Sequence, residues 1–408
     1  MNKKELRKII ILLGILSALG PFSIDMYLPG FPQIAADLHT SIAEVGYSLT
    51  SYFVGISVGQ LLYGPIVDRF GRKKPLVFGL SLYVVAALCC ALAPTVHWLI
   101  GLRGLLAIGG CAGMVAGRAV VRDLFPPTDI AKVISTLMLI MGVAPLIAPS
   151  IGGWMVTALG WRAIFVTLAS ISALMLTSVL LILPESRGPD KAVSLAPSAV
   201  VGRYWAVFKE PAFIVFGLAG AFTQGSLFAY ISGSPFLYME KMHFTQTQYG
   251  LLFSFNSFGF IGGSQLNRLL LRRFDSLRLA EAGSLAIAVL GALMVLCATF
   301  AGSGQPGIAI GLMLVLLFLF LVVGGMLGPN STALALAPFS TNAGSASALI
   351  GFSQMLFGAL ASGLVSALHN QTILPMTGVM AICALASTVL ITGQRVLLKR
   401  RAVAASQS

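Results

Sequence analysis

The sequence predicts an all-α membrane protein of about twelve transmembrane helices, built as two pseudo-symmetric six-helix bundles. Three features predict it: an apolar composition, apolar runs of membrane-crossing length, and basic residues gathered on one side of those runs. Of the 408 residues, 57% are hydrophobic and 10% are charged, and the mean hydropathy is +0.92. A soluble domain carries about 25% charged residues. So much apolar surface cannot all be turned inward, because most of a fold's surface faces its solvent. Here that solvent is lipid.

A hydrocarbon layer about 30 Å thick takes roughly 20 helical residues at 1.5 Å each. On that rule the first six spans fall at 9–29, 44–66, 75–94, 97–118, 133–157 and 162–183. The next six fall at 211–235, 248–267, 279–301, 307–328, 344–367 and 374–394. The first span follows Lys3, Lys4, Arg7 and Lys8, as a secretory signal does. Its apolar run is too long for a signal, holds Asp25 and lacks a small-x-small cleavage site, so it reads as an uncleaved helix. The second span runs into the charged stretch Asp68–Lys74. The ninth and tenth spans part at Gly302–Gly307, and the eleventh is rich in Gly, Ser and Ala. Connections between spans are short and insert no sizeable soluble domain.

Orientation follows from charge. With the N-terminus in the cytoplasm, all of the 26 Lys and Arg except Arg103, Arg162 and Lys241 fall on the inner side. This positive-inside bias places both termini in the cytoplasm. It also accounts for the net charge of +13 without nucleic acid. Cys89, Cys90, Cys111, Cys297 and Cys383 all lie in spans without zinc-type spacing, so neither a disulfide framework nor a metal site is expected. His39, His97, His243 and His369 stand singly in predicted outer loops and read as solvated residues.

The longest inner loop, 184–210, holds Pro184, Pro189, Pro197 and seven charged residues. It divides the chain into an N-terminal bundle, 1–183, and a C-terminal bundle, 211–408, and the division exposes a repeat. After the second span comes Gly64-Pro-Ile-Val-Asp68-Arg69-Phe-Gly71-Arg72-Lys73; after the eighth comes Gly263-Ser-Gln-Leu-Asn267-Arg268, with Arg272 and Arg273 beyond. Duplicated six-helix bundles around a central site are an architecture of secondary transporters.

The stretch from Gly64 to Lys73 resembles the signature loop of the major facilitator superfamily. A Gly at position 64 permits close helix approach, expected here between the second and eleventh helices. Asp68 at a helix end can pair with a cation or face a helix N-terminus. Arg69, Arg72 and Lys73 suit an anionic inner surface. Three further pieces are similar to the bicyclomycin- and chloramphenicol-resistance (Bcr/CflA) branch of drug:proton antiporters: Ser23-Ile-Asp25-Met-Tyr27-Leu-Pro29, Gly59-Gln60-Leu-Leu-Tyr63-Gly64-Pro65, and Arg122-Asp123 before Phe125-Pro126. Ser232-Gly-Ser-Pro235-Phe236 adds a fourth. The resemblance implies a conformational latch made of Gly64, Asp68, Arg69, Gly71, Arg72 and Lys73.

The fifth span carries Gly142-Val-Ala-Pro145-Leu-Ile-Ala148-Pro149-Ser-Ile-Gly152-Gly153, which is similar to the branch's antiporter motif except that Ala148 replaces a usual Gly. Small residues and Pro at this spacing bend a helix and let it pack tightly. The resemblance assigns Gly142, Pro145, Pro149, Gly152 and Gly153 to a bendable seal and points to export.

Within the hydrocarbon region the sequence shows one acid, Asp25, and one base, Arg103, at matching depths in the outer halves of their helices. Intramembrane charges cost several kcal/mol and face a bundle interior or a wet cavity. Gly14, Ser17, Pro21 and Asp25 share one helix face, as do Arg103, Ala107, Gly110, Met114 and Gly117. Arg103 resembles the fourth-helix arginine of the family, although Leu106 and Ala107 replace a usual polar residue and Gly. The resemblance implies a proton-coupling role for Arg103, and Asp25, a carboxylate in a partly dry cavity near that arginine, reads as the proton carrier, with a static ion pair as the competing role. A drug cavity is mostly apolar and aromatic with few polar anchors. Candidates are Tyr47, Tyr52, Gln60, Phe222, Gln224, Tyr230, Phe253, Asn256, Gln354 and Phe357.

The expected function is proton-coupled efflux of small neutral or zwitterionic amphiphiles by a monomer, driven by the proton gradient without cofactor, metal or nucleic acid. A transporter of one specific metabolite is the alternative. A membrane-embedded enzyme or a non-transporting sensor is remote, since the spans lack clustered acids and histidines and no signalling domain is evident.

Overall fold

A computed structural model describes residues 3–190, 196–300, 306–339 and 343–406. Twelve long helices account for most of them. They are α1 (Lys3–Asp25), α3 (Ile42–Phe70), α4 (Lys73–Ala91), α5 (Val96–Leu124), α6 (Pro127–Leu159), α7 (Arg162–Ile182), α9 (Leu218–Pro235), α10 (Gln246–Leu270), α11 (Ser276–Phe300), α12 (Pro306–Leu336), α13 (Ala343–Ala367) and α14 (Leu374–Ser406). Two shorter helices are α2 (Phe31–Asp37) and α8 (Pro197–Phe208). Among the described residues, ten helical segments are long and apolar enough to cross a membrane; α3 and α10 have the length but are more polar.

Local chemistry sets the helix ends. Ser41 caps α3 by accepting the Glu44 amide at 3.2 Å, and Thr95 caps α5 through the Trp98 amide at 3.5 Å. Pro126 and Pro127 open α6, where the missing amide proton costs nothing. Gly71 and Gly160 close α3 and α6 at φ of +87° and +84°, which a side chain would oppose.

The elements depart from the sequence expectations in three places. The first span does not run to 29: α1 stops at Asp25, and the chain passes through a single turn, Leu28–Gly30, into α2. Several C-terminal helix ends run on; α5 reaches Leu124 rather than 118 and α12 reaches Leu336 rather than 328. An apolar window stops where polarity begins, whereas a helix stops only where its backbone bonding is interrupted. Part of the expected 184–210 loop is helical, α8, in which Trp205 stacks on Phe208 with centroids 5.9 Å apart. The expected break at Gly302–Gly307 lies largely outside the described residues.

Packing groups the chain into two compact units: Met1–Gly202 with Pro235–Phe255, and Arg203–Ser234 with Asn256–Ser408. In the first, α5 is the hub. A Cβ on Gly55 would overlap the Gly104 carbonyl oxygen across α3 and α5, and one on Gly109 would lie 2.7 Å from the Gly79 oxygen across α4 and α5. In the second, a Cβ on Gly263 would overlap the Val322 carbonyl and one on Gly325 that of Phe260, joining α10 to α12. Such contacts replace the hydrophobic drive that lipid cannot supply between helices.

Candidate functional site

Arg103 is fully buried in the first unit, and it does not form an ion pair with Asp25. Its Nη1 donates to the Ser23 carbonyl at 3.0 Å, two residues short of Asp25. The guanidinium lies 4.4 Å from the ring centroids of both Tyr27 and Tyr52, and 5.8 Å from that of Phe165. Each tyrosine hydroxyl is engaged elsewhere, which turns its ring toward the cation. Tyr27 donates to Ser48 at 2.7 Å, Tyr52 donates to the Gly20 carbonyl at 3.4 Å, and Tyr83 bonds Ser23 beside the cage.

The energetics mark the site as costly. Burying a cation costs several kcal/mol, and each desolvated cation–π contact returns about 2 kcal/mol. Nε and Nη2 of Arg103 are buried without a hydrogen-bond partner, and an unmade bond of this kind costs about 1–3 kcal/mol. Asp25, 4% exposed, ends α1 on the same side of the bundle. Two unfilled donor positions next to the helix that carries a buried acid form an arrangement able to receive a carboxylate.

The loop between α3 and α4 builds an ionic cluster on Arg72, whose side chain is 3% exposed. Nη1 bonds Asp68 at 2.7 Å and the Val67 carbonyl at 2.9 Å, while Nε bonds Asp123 of α5 at 2.7 Å. Ser186 also donates to Asp123, at 3.1 Å. The Glu185 carboxylate accepts the backbone amides of Arg72 at 2.7 Å and Lys73 at 3.2 Å, which places an anion at the N-terminus of α4. Lys73 Nζ reaches the Leu180 carbonyl at 2.9 Å, near the C-terminus of α7. Burial alone would lower the Arg72 pKa, but the bonds to Asp123 and Asp68 outweigh it and the net shift is upward. Gly71 lies against Glu185, and Arg69 and Gly64 flank the cluster on α3.

The sequence marks Asp68 and Arg72 as latch residues but does not tie Asp123 or Glu185 to them. Asp123 was visible beside Arg122, and Glu185 was visible as an acid on a basic face. Nor does the sequence single out Glu281, a second acid buried within a span, 8% exposed in α11. Three residues after Arg278, it reads as part of a charged helix end.

The α6 motif is split by the structure. Gly152 abuts the Met26 backbone, and Gly153 abuts Gln246, with 3.1 Å from its would-be Cβ to the Gln246 carbonyl carbon. Pro149 receives Gly250 in the same way, at 2.9 Å. A Cβ on Gly142 would meet nothing within 4 Å outside its own helix turn. Pro145 lies inside an unbroken α6.

The candidate cavity residues are distributed over both units. In the first unit Tyr52 lies under Arg103, Gln60 is buried, and Phe253 is tilted against Tyr249 at 5.9 Å. Tyr47 instead lines an outer groove of about 550 Å³ with Glu44, Ser51 and His97. His97 belongs to the first turn of α5 rather than to a loop. In the second unit the Asn256 amide donates to Tyr230 at 3.1 Å, Phe222 meets Phe357 edge-on at 4.6 Å, and Gln224 and Gln354 are half-buried on α9 and α13. No cluster of metal-ligating residues occurs among the described residues.

The sequence profile described as Major Facilitator Superfamily matches residues 13–362. An uncharacterized MFS-type transporter, YdgK, of Bacillus subtilis is 34% identical over 93% of this chain and 94% of its own length. A bicyclomycin resistance protein homolog of Haemophilus influenzae is 32% identical over 95% of this chain and 96% of its own. Among solved structures, a POT family transporter in complex with 5-aminolevulinic acid superposes with a TM-score of 0.75, covering 95% of both chains at 14% identity.

Proposed function

Because this chain belongs to the major facilitator superfamily, a family of multi-pass membrane transporters rather than enzymes, we propose that it exports small drug-like molecules across a bacterial inner membrane in exchange for protons. The observation that carries the reading is the buried Asp25 beside a caged Arg103 with two unfilled donor positions. In the outward-open state substrate leaves and Asp25 takes up a proton. In the inward-open state substrate enters, and the proton is released as the carboxylate moves to the vacant Nε and Nη2 of Arg103. Charge-assisted pairing there would recover the bonds now unmade. The ionic cluster around Arg72 supports one end state, and substrate binding shifts the balance between states. Similarity to a relative named for bicyclomycin resistance supports an antibiotic-like cargo.

The positive-inside bias supports cytoplasmic termini, and a reporter fused after Leu183 is expected to read inside while one near Asp37 reads outside. The coupling test uses everted vesicles loaded with a pH-sensitive dye, with chloramphenicol added under an imposed proton gradient. Wild type is expected to release protons on drug addition, Asp25→Asn to release none, and Asp25→Glu to retain partial activity at a shifted pH optimum. Proton release by Asp25→Asn equal to wild type places coupling elsewhere. Asp25 opposite Arg103 creates little negative potential within the first unit, so neutral amphenicols are expected to be moved in preference to dicationic biocides. Proton release evoked by one metabolite and by no drug would favour the specific-transporter reading.

A further inference from the structure

Gly152 is part of the motif read as a bendable seal, yet the chain it touches is the one just beyond Asp25. A Cβ on Gly152 would overlap the Met26 carbonyl oxygen and lie 2.8 Å from both the carbonyl carbon and Cα of Met26, where ordinary contact begins at 3.4 Å. These are backbone atoms, so no side-chain rotation relieves the overlap. The rest of the turn is seated on the same stretch. A Cβ on Gly30 would lie 3.5 Å from Val156 Cγ2 and from Trp161 Cβ, and the Trp161 amide donates to Gln33 at 2.9 Å. A Cβ on Gly142, ten residues earlier on α6, would meet nothing within 4 Å outside its own helix turn. A seal that works by bending needs both glycines; a seat for the end of α1 needs only one.

We propose that Gly152 is a positioning residue: by admitting the Met26 backbone against α6 it fixes where α1 ends, and so where the Asp25 carboxylate stands relative to Arg103. The proposal rests on the reading of Asp25 as proton carrier. The titratable groups around this end of α1 are Tyr27 on the turn, Tyr52 from α3, Tyr83 and Cys90 from α4, and Arg103 from α5. α6 and α7 meet it with Gly152 and Phe165. Adding a methyl group at 152 forces the two backbones apart by more than half an ångström, enough to change the Asp25 carboxylate's distance to each of these groups.

The test reads the carboxylate directly. A hydrophobic carbodiimide modifies protonated carboxyl groups, and its labelling of residue 25 against pH is followed by mass spectrometry on the full chain in liposomes, with no transported solute required. Gly142→Ala is expected to keep the wild-type midpoint. Gly152→Ala is expected to move it by about half a pH unit or more and to reduce drug-evoked proton release by about tenfold or more. Val156→Ala loosens the same seat without a clash and is expected to give a smaller displacement of the midpoint; it carries the test if Gly152→Ala does not fold. An unmoved midpoint in the folded seat variant, or an equal displacement in Gly142→Ala, overturns the proposal. If Asp25→Asn still releases protons while Gly152→Ala moves the midpoint, the coupling reading fails and the seat stands. If Asp25→Asn abolishes release and the midpoint is unmoved, the seat fails and the coupling reading stands.

Discussion

The loop after α3 and its repeat after α10 solve one packing problem with opposite chemistry. In the first, Asp68 and Asp123 converge on Arg72, and Glu185 holds the amides that follow. In the second, Asn267 occupies the position that matches Asp68 and meets Asn330 of α12 in a reciprocal amide pair at 2.7 and 3.5 Å. Both asparagines are buried, at 2% and 1% exposure, and Asn330 Nδ2 also donates to the Met326 carbonyl at 3.0 Å. A neutral pair satisfies its own donors and acceptors and responds little to salt or to neighbouring charge. The ionic cluster gathers one buried cation and three acids at a membrane surface, so its strength changes with every charge that approaches. The repeat preserves a helix-to-helix clasp, and only the charged copy is suited to act as a switch.

The largest effect is expected from Arg72→Gln. Removing a buried cation strands two carboxylates, at a cost of about 3 kcal/mol. Purified protein should melt several degrees lower, and transport should fall. Wild-type melting that is matched by the variant would mean that the cluster adds no stability. Asn330→Ala should cost about 2 kcal/mol by leaving the Asn267 amide buried and unpaired, and its melting deficit should be the same at low and high salt. A deficit that shrinks at high salt would show that the second clasp is electrostatic after all. Asp68→Asn should have the smallest effect on melting, under about 1 kcal/mol, because its carboxylate is half exposed. Its transport rate should nevertheless fall while expression holds, and unchanged transport kinetics would remove Asp68 from the latch.

The clasp is not expected to titrate from the arginine side. The bonds to Asp123 and Asp68 hold the Arg72 pKa above the ordinary arginine value, so its contribution is complete below that ordinary value and lost only as pH climbs past the shifted one. Any pH dependence of the latch near neutrality must therefore come from other groups. Proton-driven behaviour assigned to Asp25 can then be separated from the latch by comparing Arg72→Gln and Asp25→Asn over the same pH range.

Apolar run length and basic-residue bias by themselves determined the all-α membrane class, the helix order and the intramembrane positions of Asp25 and Arg103, because these depend on local sums: hydropathy along a window and charge along a loop. The repeat also made Asp68 and Asn267 visible as partners in position. Only the tertiary structure decided that Arg103 is caged by Tyr27 and Tyr52, that Asp123 and Glu185 complete the Arg72 cluster, that Glu281 is buried, and that Gly152 rather than Gly142 touches the end of α1. Each of these is a contact between segments far apart in the chain. Composition fixes how much a helix must bury, but which side chain meets which depends on crossing points and rotations set by all neighbouring helices at once.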